Sequence, residues 1–368
     1  MVICMKKIFI TYTPFHILTA CGFASEMNDD TEKILLFFKD FPNSDLYHEA
    51  IKEWKQNPFR DIVIMDAGMQ RDQKSLKQRF RFSRDKLNLM KQYWKNHLKN
   101  EPGGYEVYSF NDDTVEAQFL YRKNDHSRNY YMEDGLNSYY INPSEKSIKF
   151  YAKLIIRKFL FGFWVERPYP FGSSKHVSTI FSYYPDLVVE PLRKKDLRQI
   201  SQATFINLGK KGFLDILKKR FNIDEIEDNG PTGIVLFPIF SILAEKKIDM
   251  VSFARILMHF FNSQKENFKN IYVKCHPREP ESMARKLKEI FPEIKVVRNN
   301  IAAEVLFAVI KEKVHHHVLL VSPPTAAFIN ARIILGDDAE IVCIQNFDKG
   351  NLSSKPLYDK LNIQMKII

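Results

Sequence analysis

The chain has 368 residues, 45% of them hydrophobic and 27% charged, with 30 Phe and 16 Tyr. That length and bulk suit two domains of ordinary size and exclude a disordered chain, a fibrous repeat and a small disulfide scaffold. Fifty-five Lys and Arg against 44 Asp and Glu leave a net charge of +11, which points to an anionic partner: nucleic acid, a lipid headgroup surface or an acidic substrate.

Ile8–Tyr12 reads as a buried strand. Pro14 follows where the first turn of a helix tolerates it, and that helix runs through Ala24. The opening 23 residues are not read as a signal peptide. Thr11, Thr13, Pro14 and His16 interrupt the apolar run, and no small-residue cleavage site follows. Ile34–Phe38 is a second strand, Asp45 to Trp54 a helix and Asp61–Met65 a third strand. Arg71 to Lys99 is a long basic helical stretch. Its ten Lys or Arg face only Asp72 and Asp85, with Phe80, Phe82, Tyr93 and Trp94 interleaved. The readings open for it are a solvated face, a groove for an anionic glycan, or a surface for nucleic acid, though no nucleic-acid-binding module appears elsewhere.

Glu106–Ser109 is a strand, Glu116–Tyr121 a helix, and Asn129–Met132 a strand ending at Glu133-Asp134-Gly135. Residues 149–171 mix Leu, Ile, Phe and Trp with Lys153, Arg157, Lys158 and Arg167. The stretch is too short and charged to span a bilayer, and reads as a core helix or as an amphipathic helix in a headgroup layer. Asp224–Pro231, acidic and marked by Gly and Pro, is the expected linker.

The second half repeats the alternation. Strands are expected at Gly233–Phe237, Ile271–Lys274, Ile294–Val297 and Val318–Val321, with Ile341–Ile344 closing the sheet. Helices are expected at Met250–Phe261, Ser282–Ile290 and Ala302–Ile310, and one begins at Ala326–Ala331. Such alternation is the mark of parallel sheets covered by helices, so the fold class is α/β. Cys4, Cys21, Cys275 and Cys343 share no metal-ligand spacing and read as buried free thiols of a reducing compartment.

Polar clusters fall just where strands end, which is where parallel sheets bind ligands. They are Thr11-Tyr12-Thr13-Pro14-Phe15-His16, then Glu133-Asp134-Gly135 with Asn137, Ser138 and two tyrosines, then Lys274-Cys275-His276-Pro277-Arg278-Glu279, then Ser322-Pro323-Pro324-Thr325. A carboxylate at a strand end can take a proton from a bound hydroxyl, and of two adjacent carboxyls one is raised in pKa when both are partly buried. Gly135 permits a tight turn and close approach to a ligand. His276 can donate to a phosphate oxygen, with Pro277 fixing its backbone; a capping or core role is the alternative on spacing alone. Ser322 and Thr325 precede a helix, and hydroxyls there suit phosphate. A base in one half and phosphate-binding groups in the other describe group transfer from a nucleotide-activated donor. His315-His316-His317 abuts a strand whose side chains alternate faces, so the three cannot converge on one metal ion.

In order, Glu133-Asp134-Gly135, His276-Pro277 and Ser322/Thr325 resemble the motifs of bacterial sialyltransferases of the GT-B type. The capsular polysialyltransferase family is the nearest and the lipooligosaccharide sialyltransferase family, through His276-Pro277-Arg278, the second. The opening Ile-Thr-Tyr-Thr-Pro-Phe-His-Ile-Leu is similar to the first strand-loop-helix of these families. The likeness departs at Pro323 and Pro324, which separate hydroxyls that the family keeps adjacent. It also departs at Phe237-Pro238-Ile239-Phe240, where no carboxylate stands until Glu245; that favours Glu133 or Asp134 as base.

The resemblance implies a GT-B fold of two Rossmann-like domains with a cleft between them. Residues 1–225 would bind acceptor, 226–345 would bind the CMP donor, and the tail 346–368 would pack back on the first domain. It implies inverting, metal-independent transfer of sialic acid from CMP-sialic acid to a bacterial capsular or cell-surface glycan. Glu133, Asp134 and His276 would be catalytic. Thr13, Gly135, Pro277, Arg278, Ser322 and Thr325 would hold the donor, and Arg79, Arg81, Arg84 and Lys91 an anionic or galactose-terminated acceptor. No cofactor and no nucleic acid are expected. The location implied is cytoplasmic, with peripheral contact on the inner face of the cell membrane. The alternatives are transfer of Kdo or another nonulosonic acid from its CMP form, and a nucleic-acid-binding protein using residues 71–99.

Overall fold

The computed structural model describes residues 5–68, 75–141, 148–223, 226–237, 249–264, 267–276, 279, 281–297, 301–344 and 355–366. The chain divides into two compact units, Met1–Leu208 and Gly209–Ile368.

In the first unit the strands are β1 (Lys6–Thr11), β2 (Glu32–Phe38), β3 (Asp61–Met65), β4 (Tyr105–Ser109), β5 (Asn129–Met132), β6 (Thr179–Ser182) and β7 (Asp196–Gln199). They form a parallel sheet in the order β3-β2-β1-β4-β5-β6-β7. Around it run α1 (Pro14–Glu26), α2 (Ser44–Glu53), α3 (Leu76–Tyr93), α4 (Val115–Lys123), α5 (Ile148–Phe161) and α6 (Thr204–Lys210), whose last residues cross into the second unit. β1 is central, and its Ile8, Phe9 and Ile10 have no exposure, the continuous apolar run of a strand covered on both faces. Phe9 stacks on Tyr108 of β4 at 4.6 Å between ring centres. The chain order reverses between β1 and β4, and at such a reversal the carboxyl ends of the strands leave an opening for ligands.

The second unit holds α7 (Phe213–Phe221), α8 (Met250–Asn262), α9 (Glu281–Ile290), α10 (Ala303–Lys313), α11 (Ala327–Leu335) and α12 (Lys355–Lys360). Its strands are β8 (Thr232–Leu236), β9 (Asn270–Lys274), β10 (Ile294–Val297), β11 (Val318–Ser322), β12 (Ala339–Ile344) and β13 (Ile363–Lys366). They are parallel in the order β10-β9-β8-β11-β12-β13, with the reversal between β8 and β11. Both units are therefore Rossmann-like.

Two expectations can be set beside the described residues. Of the C-terminal tail, residues 345–354, 367 and 368 lie outside them, and β13 belongs to the second sheet. β13 pairs in parallel with β12, and the Arg332 guanidinium ties it there by donating to the carbonyls of Leu361 (2.7 Å) and Asn362 (3.0 Å). Ile341–Ile344 therefore does not close the sheet. The units also part at 208/209, ahead of the acidic segment, of which residues 224 and 225 lie outside the described residues. α7 belongs with the second unit because Lys218 pairs with Glu312 of α10.

The basic stretch is not one surface. α3 starts at a capping box between Ser75 and Gln78 and continues past Tyr93 as a π-turn over Trp94–Leu98. Lys86 faces inward. It is 6% exposed, lies over the rings of Tyr12, Phe38 and Phe82, and pairs with Asp40 at 2.7 Å and Glu116 at 4.0 Å. Removing one partner of a buried pair strands the other charge. Lys86→Met should therefore lower the unfolding free energy by about 3 kcal/mol, read from the midpoint of a urea titration at unchanged slope. An unmoved midpoint would mean that Asp40 and Glu116 need no counter-charge.

Candidate active site

Thr13 caps α1: its side chain accepts the His16 backbone N–H at 3.2 Å, and Pro14 follows in the first helical turn. The cap turns the His16 ring inward, where it stacks on Phe110 at 4.5 Å and is buried. The Tyr12 backbone N–H donates to His16 Nδ1 at 3.3 Å, so the ring proton sits on Nε2. Nε2–H then donates to Asp134 Oδ1 at 2.8 Å. Asp134 follows β5 and His16 follows β1; the bridge between them passes the end of β4, which lies between those two strands.

Glu133 and Asp134 are adjacent in sequence but differ in surroundings. The Glu133 N–H continues the ladder to Phe181 at 2.9 Å, and its side chain is fully buried. Oε2 accepts from the Tyr139 hydroxyl, from Ser182 Oγ at 2.9 Å and from the Tyr183 N–H at 2.9 Å. Among the described residues Oε1 has no hydrogen-bond partner, and it is buried. Burial pushes the Glu133 carboxyl up to about 7, the three donors pull it back, and the neighbouring Asp134 charge adds to the rise. Asp134 is one-quarter exposed and its backbone N–H donates to the Tyr131 hydroxyl at 3.2 Å. Gly135, at φ 68°, turns the chain into the short helix Gly135–Ser138, a conformation that disfavours a side chain.

In the second unit His276 follows β9 and is half-buried, and its carbonyl accepts the Glu279 N–H at 2.9 Å. Pro277 and Arg278 lie outside the described residues, as do residues 238–248 with Pro238, Phe240 and Glu245. Lys274 is buried, its amine is pushed down to about 8 by that burial, and it donates to the Cys275 carbonyl at 2.9 Å. Ser322 ends β11. Its hydroxyl donates to the Leu236 carbonyl at 3.1 Å and ties β11 to β8. Thr325 Oγ1 accepts the Ala327 N–H at 3.3 Å where α11 begins. His276 and Ser322 thus stand at the carboxyl edge on either side of β8.

Arg79, Arg81, Arg84 and Lys91 are exposed on α3. Arg81, Arg84 and Lys91 share one stripe at helical spacing, and Arg79 sits in the first turn. Lys91 also lines a cavity of about 220 Å³ with Phe119, Arg122, Lys123 and Trp164. His316 lies 3.8 Å from Asp228 and His317 3.7 Å from Glu340, so the histidine tract splits between two carboxylates. Among the described residues no three His, Cys, Asp or Glu side chains are grouped to hold a metal ion. Cys21, Cys275 and Cys343 are free and buried, and Cys4 lies outside the described residues. No described helix is long and apolar enough to cross a membrane.

The residues missed by sequence reasoning are His16 as the partner of Asp134 and Ser182 and Tyr183 as partners of Glu133. His16 stood in the first polar cluster; Ser182 and Tyr183 lie in and after a strand that carried no periodic signal.

A family model described as alpha-2,8-polysialyltransferase matches residues 7–318. No curated protein matches the sequence. Among solved structures the wall teichoic acid polymerase TagF is similar, at TM-score 0.42 and 9% identity, over 96% of this chain and 71% of that one.

Proposed function

The chain belongs to the alpha-2,8-polysialyltransferase family and is a sialyltransferase-type glycosyltransferase; from that premise we propose a GT-B enzyme that moves sialic acid from CMP-sialic acid to a hydroxyl of a bacterial capsular or cell-surface glycan, with inversion and without a metal. The acceptor oxygen attacks the anomeric carbon as the bond from that carbon to the CMP phosphate breaks. The acceptor proton goes to Glu133, and the electron pair of the broken bond leaves on the phosphate, for which His276 is the assigned donor.

The observation that carries this reading is Glu133. A buried carboxyl with one unpartnered oxygen and a pKa near 7 is poised to take a proton at neutral pH, and an acceptor hydroxyl would satisfy that oxygen. Asp134, held by His16, fixes the turn at Gly135. Thr13 and Gly135 are assigned to the donor, as are Ser322 and Thr325; the donor role expected of Pro277 and Arg278 falls outside the described residues. For Ser322 this requires exchanging the Leu236 carbonyl for a phosphate oxygen. Arg79, Arg81, Arg84 and Lys91 hold an anionic acceptor. The location that suits this substrate is the cytoplasmic side of the cell membrane.

The test is CMP release from CMP-sialic acid in the presence of EDTA, with a sialylated and a galactose-terminated oligosaccharide as acceptors. Release in EDTA, faster on the sialylated acceptor, is the expected result. Release only with CMP-Kdo would keep the scheme and change the sugar. CMP failing to bind would overturn the reading.

A further inference from the structure

The helix α5 turns its apolar side outward. Phe150 and Leu154 look toward the protein, Phe161 and Trp164 pack with Leu87 and Val115, and Arg157 is held down by Asp113 at 2.6 Å. On the opposite side Ile155 is 55% exposed, Phe159 77% and Phe163, just past the helix, 78%, with Tyr151 and Ile156 beside them. At about 100° per residue Lys153 and Lys158 fall on the two shoulders of this arc. Single exposed apolar residues are ordinary, but a contiguous ridge of them marks a contact surface.

Beside its C-terminal end lies the cavity of about 220 Å³ lined by Lys91, Phe119, Arg122, Lys123 and Trp164. Arg122 lies over the Trp164 ring at 5.4 Å and Lys123 over Trp94 at 5.0 Å. An apolar ridge flanked by lysines, next to a cationic pocket with an indole in its wall, has the chemistry of a lipid–water boundary. Apolar side chains enter the acyl region, lysines meet the phosphates, and Trp sits between.

We propose that this face docks on an anionic phospholipid bilayer, with the α5 ridge in the acyl boundary and a headgroup phosphate in the pocket at Arg122 and Lys123. The lysine shoulders and the net charge of +11 select an anionic lipid rather than a second copy of the chain, which would bring like charges together. The docking is independent of the transfer chemistry, so either can fail without the other.

The experiment is flotation of the full chain with phosphatidylcholine vesicles, with and without phosphatidylglycerol. Wild type is expected to float with the phosphatidylglycerol vesicles at low salt and to be released when salt shortens the Debye length to about 3 Å. Phe159→Glu with Phe163→Glu should cut binding by about tenfold, and Lys123→Glu by about fivefold. Both rings are over three-quarters exposed, so the thermal midpoint and CMP release on a soluble acceptor should not change. Any of three results overturns the proposal: wild type staying with the soluble fraction, the double variant floating like wild type, or a wild-type dimer that the double variant converts to monomer without vesicle binding.

Discussion

Glu133→Gln is expected to slow CMP release in the presence of acceptor by about 10³-fold while leaving donor binding intact, the loss typical of removing a positioned base. The amide keeps an oxygen for Tyr139, Ser182 and the Tyr183 N–H, so the β5–β6 join should survive. What it loses is the capacity to take a proton. The pH profile makes the assignment specific. With its carboxyl at about 7, the wild-type kcat/KM should climb with pH and level off above that value, and the residual rate of the variant should not follow.

Stability runs the other way. The folded carboxyl titrates above its ordinary value of 4.5, so the fold favours the neutral form. That contribution is fully present below pH about 4.5 and is lost as pH rises through about 7, on the order of 3 kcal/mol at most. The enzyme should therefore gain activity over the same pH range in which it loses stability. Asp134→Asn can keep the hydrogen bond from His16 and should cost about tenfold, as for a positioning group. A dead Asp134→Asn beside an active Glu133→Gln would move the base to Asp134.

His276→Ala should lower kcat by about 10²–10³-fold with KM for CMP-sialic acid little changed. Negative charge accumulates on the phosphate only as the glycosidic bond breaks, so a donor there matters more in the transition state than in the bound donor. Lys274, two residues earlier, cannot take over. It is buried and committed to the Cys275 carbonyl. A variant that fails to bind CMP would place His276 in donor binding instead, and an unchanged kcat would remove it from the reaction.

The central strands were legible because each is an apolar run buried on both faces, as in β1, β2 and β11, and the polar clusters at their ends followed from chain direction alone. β7 was not legible. Its Asp-Leu-Arg-Gln is a mostly exposed edge with no alternation. β6 is four residues long and sits between polar stretches, so Ser182 went unseen with it. The His16–Asp134 bridge joins residues 118 positions apart, and only the order β1-β4-β5 brings them together. Lys86 could have been found. It shares the helical stripe of Phe82, Met90 and Tyr93, all buried, and composition hid what phase would have shown.

The strand order has a consequence for how the chain reaches its shape. Every strand pair described is parallel, so no hairpin is available to nucleate either sheet. The central pairs are also remote: Lys6 lies opposite Tyr105, and Thr232 opposite Val318. Closing those loops costs entropy, so in each half the central strand can pair on one side with its near neighbour but must wait on the other side for a distant segment. Refolding from denaturant should be slow and prone to association, and dilution, low temperature and a holdase are the conditions under which this chain recovers best.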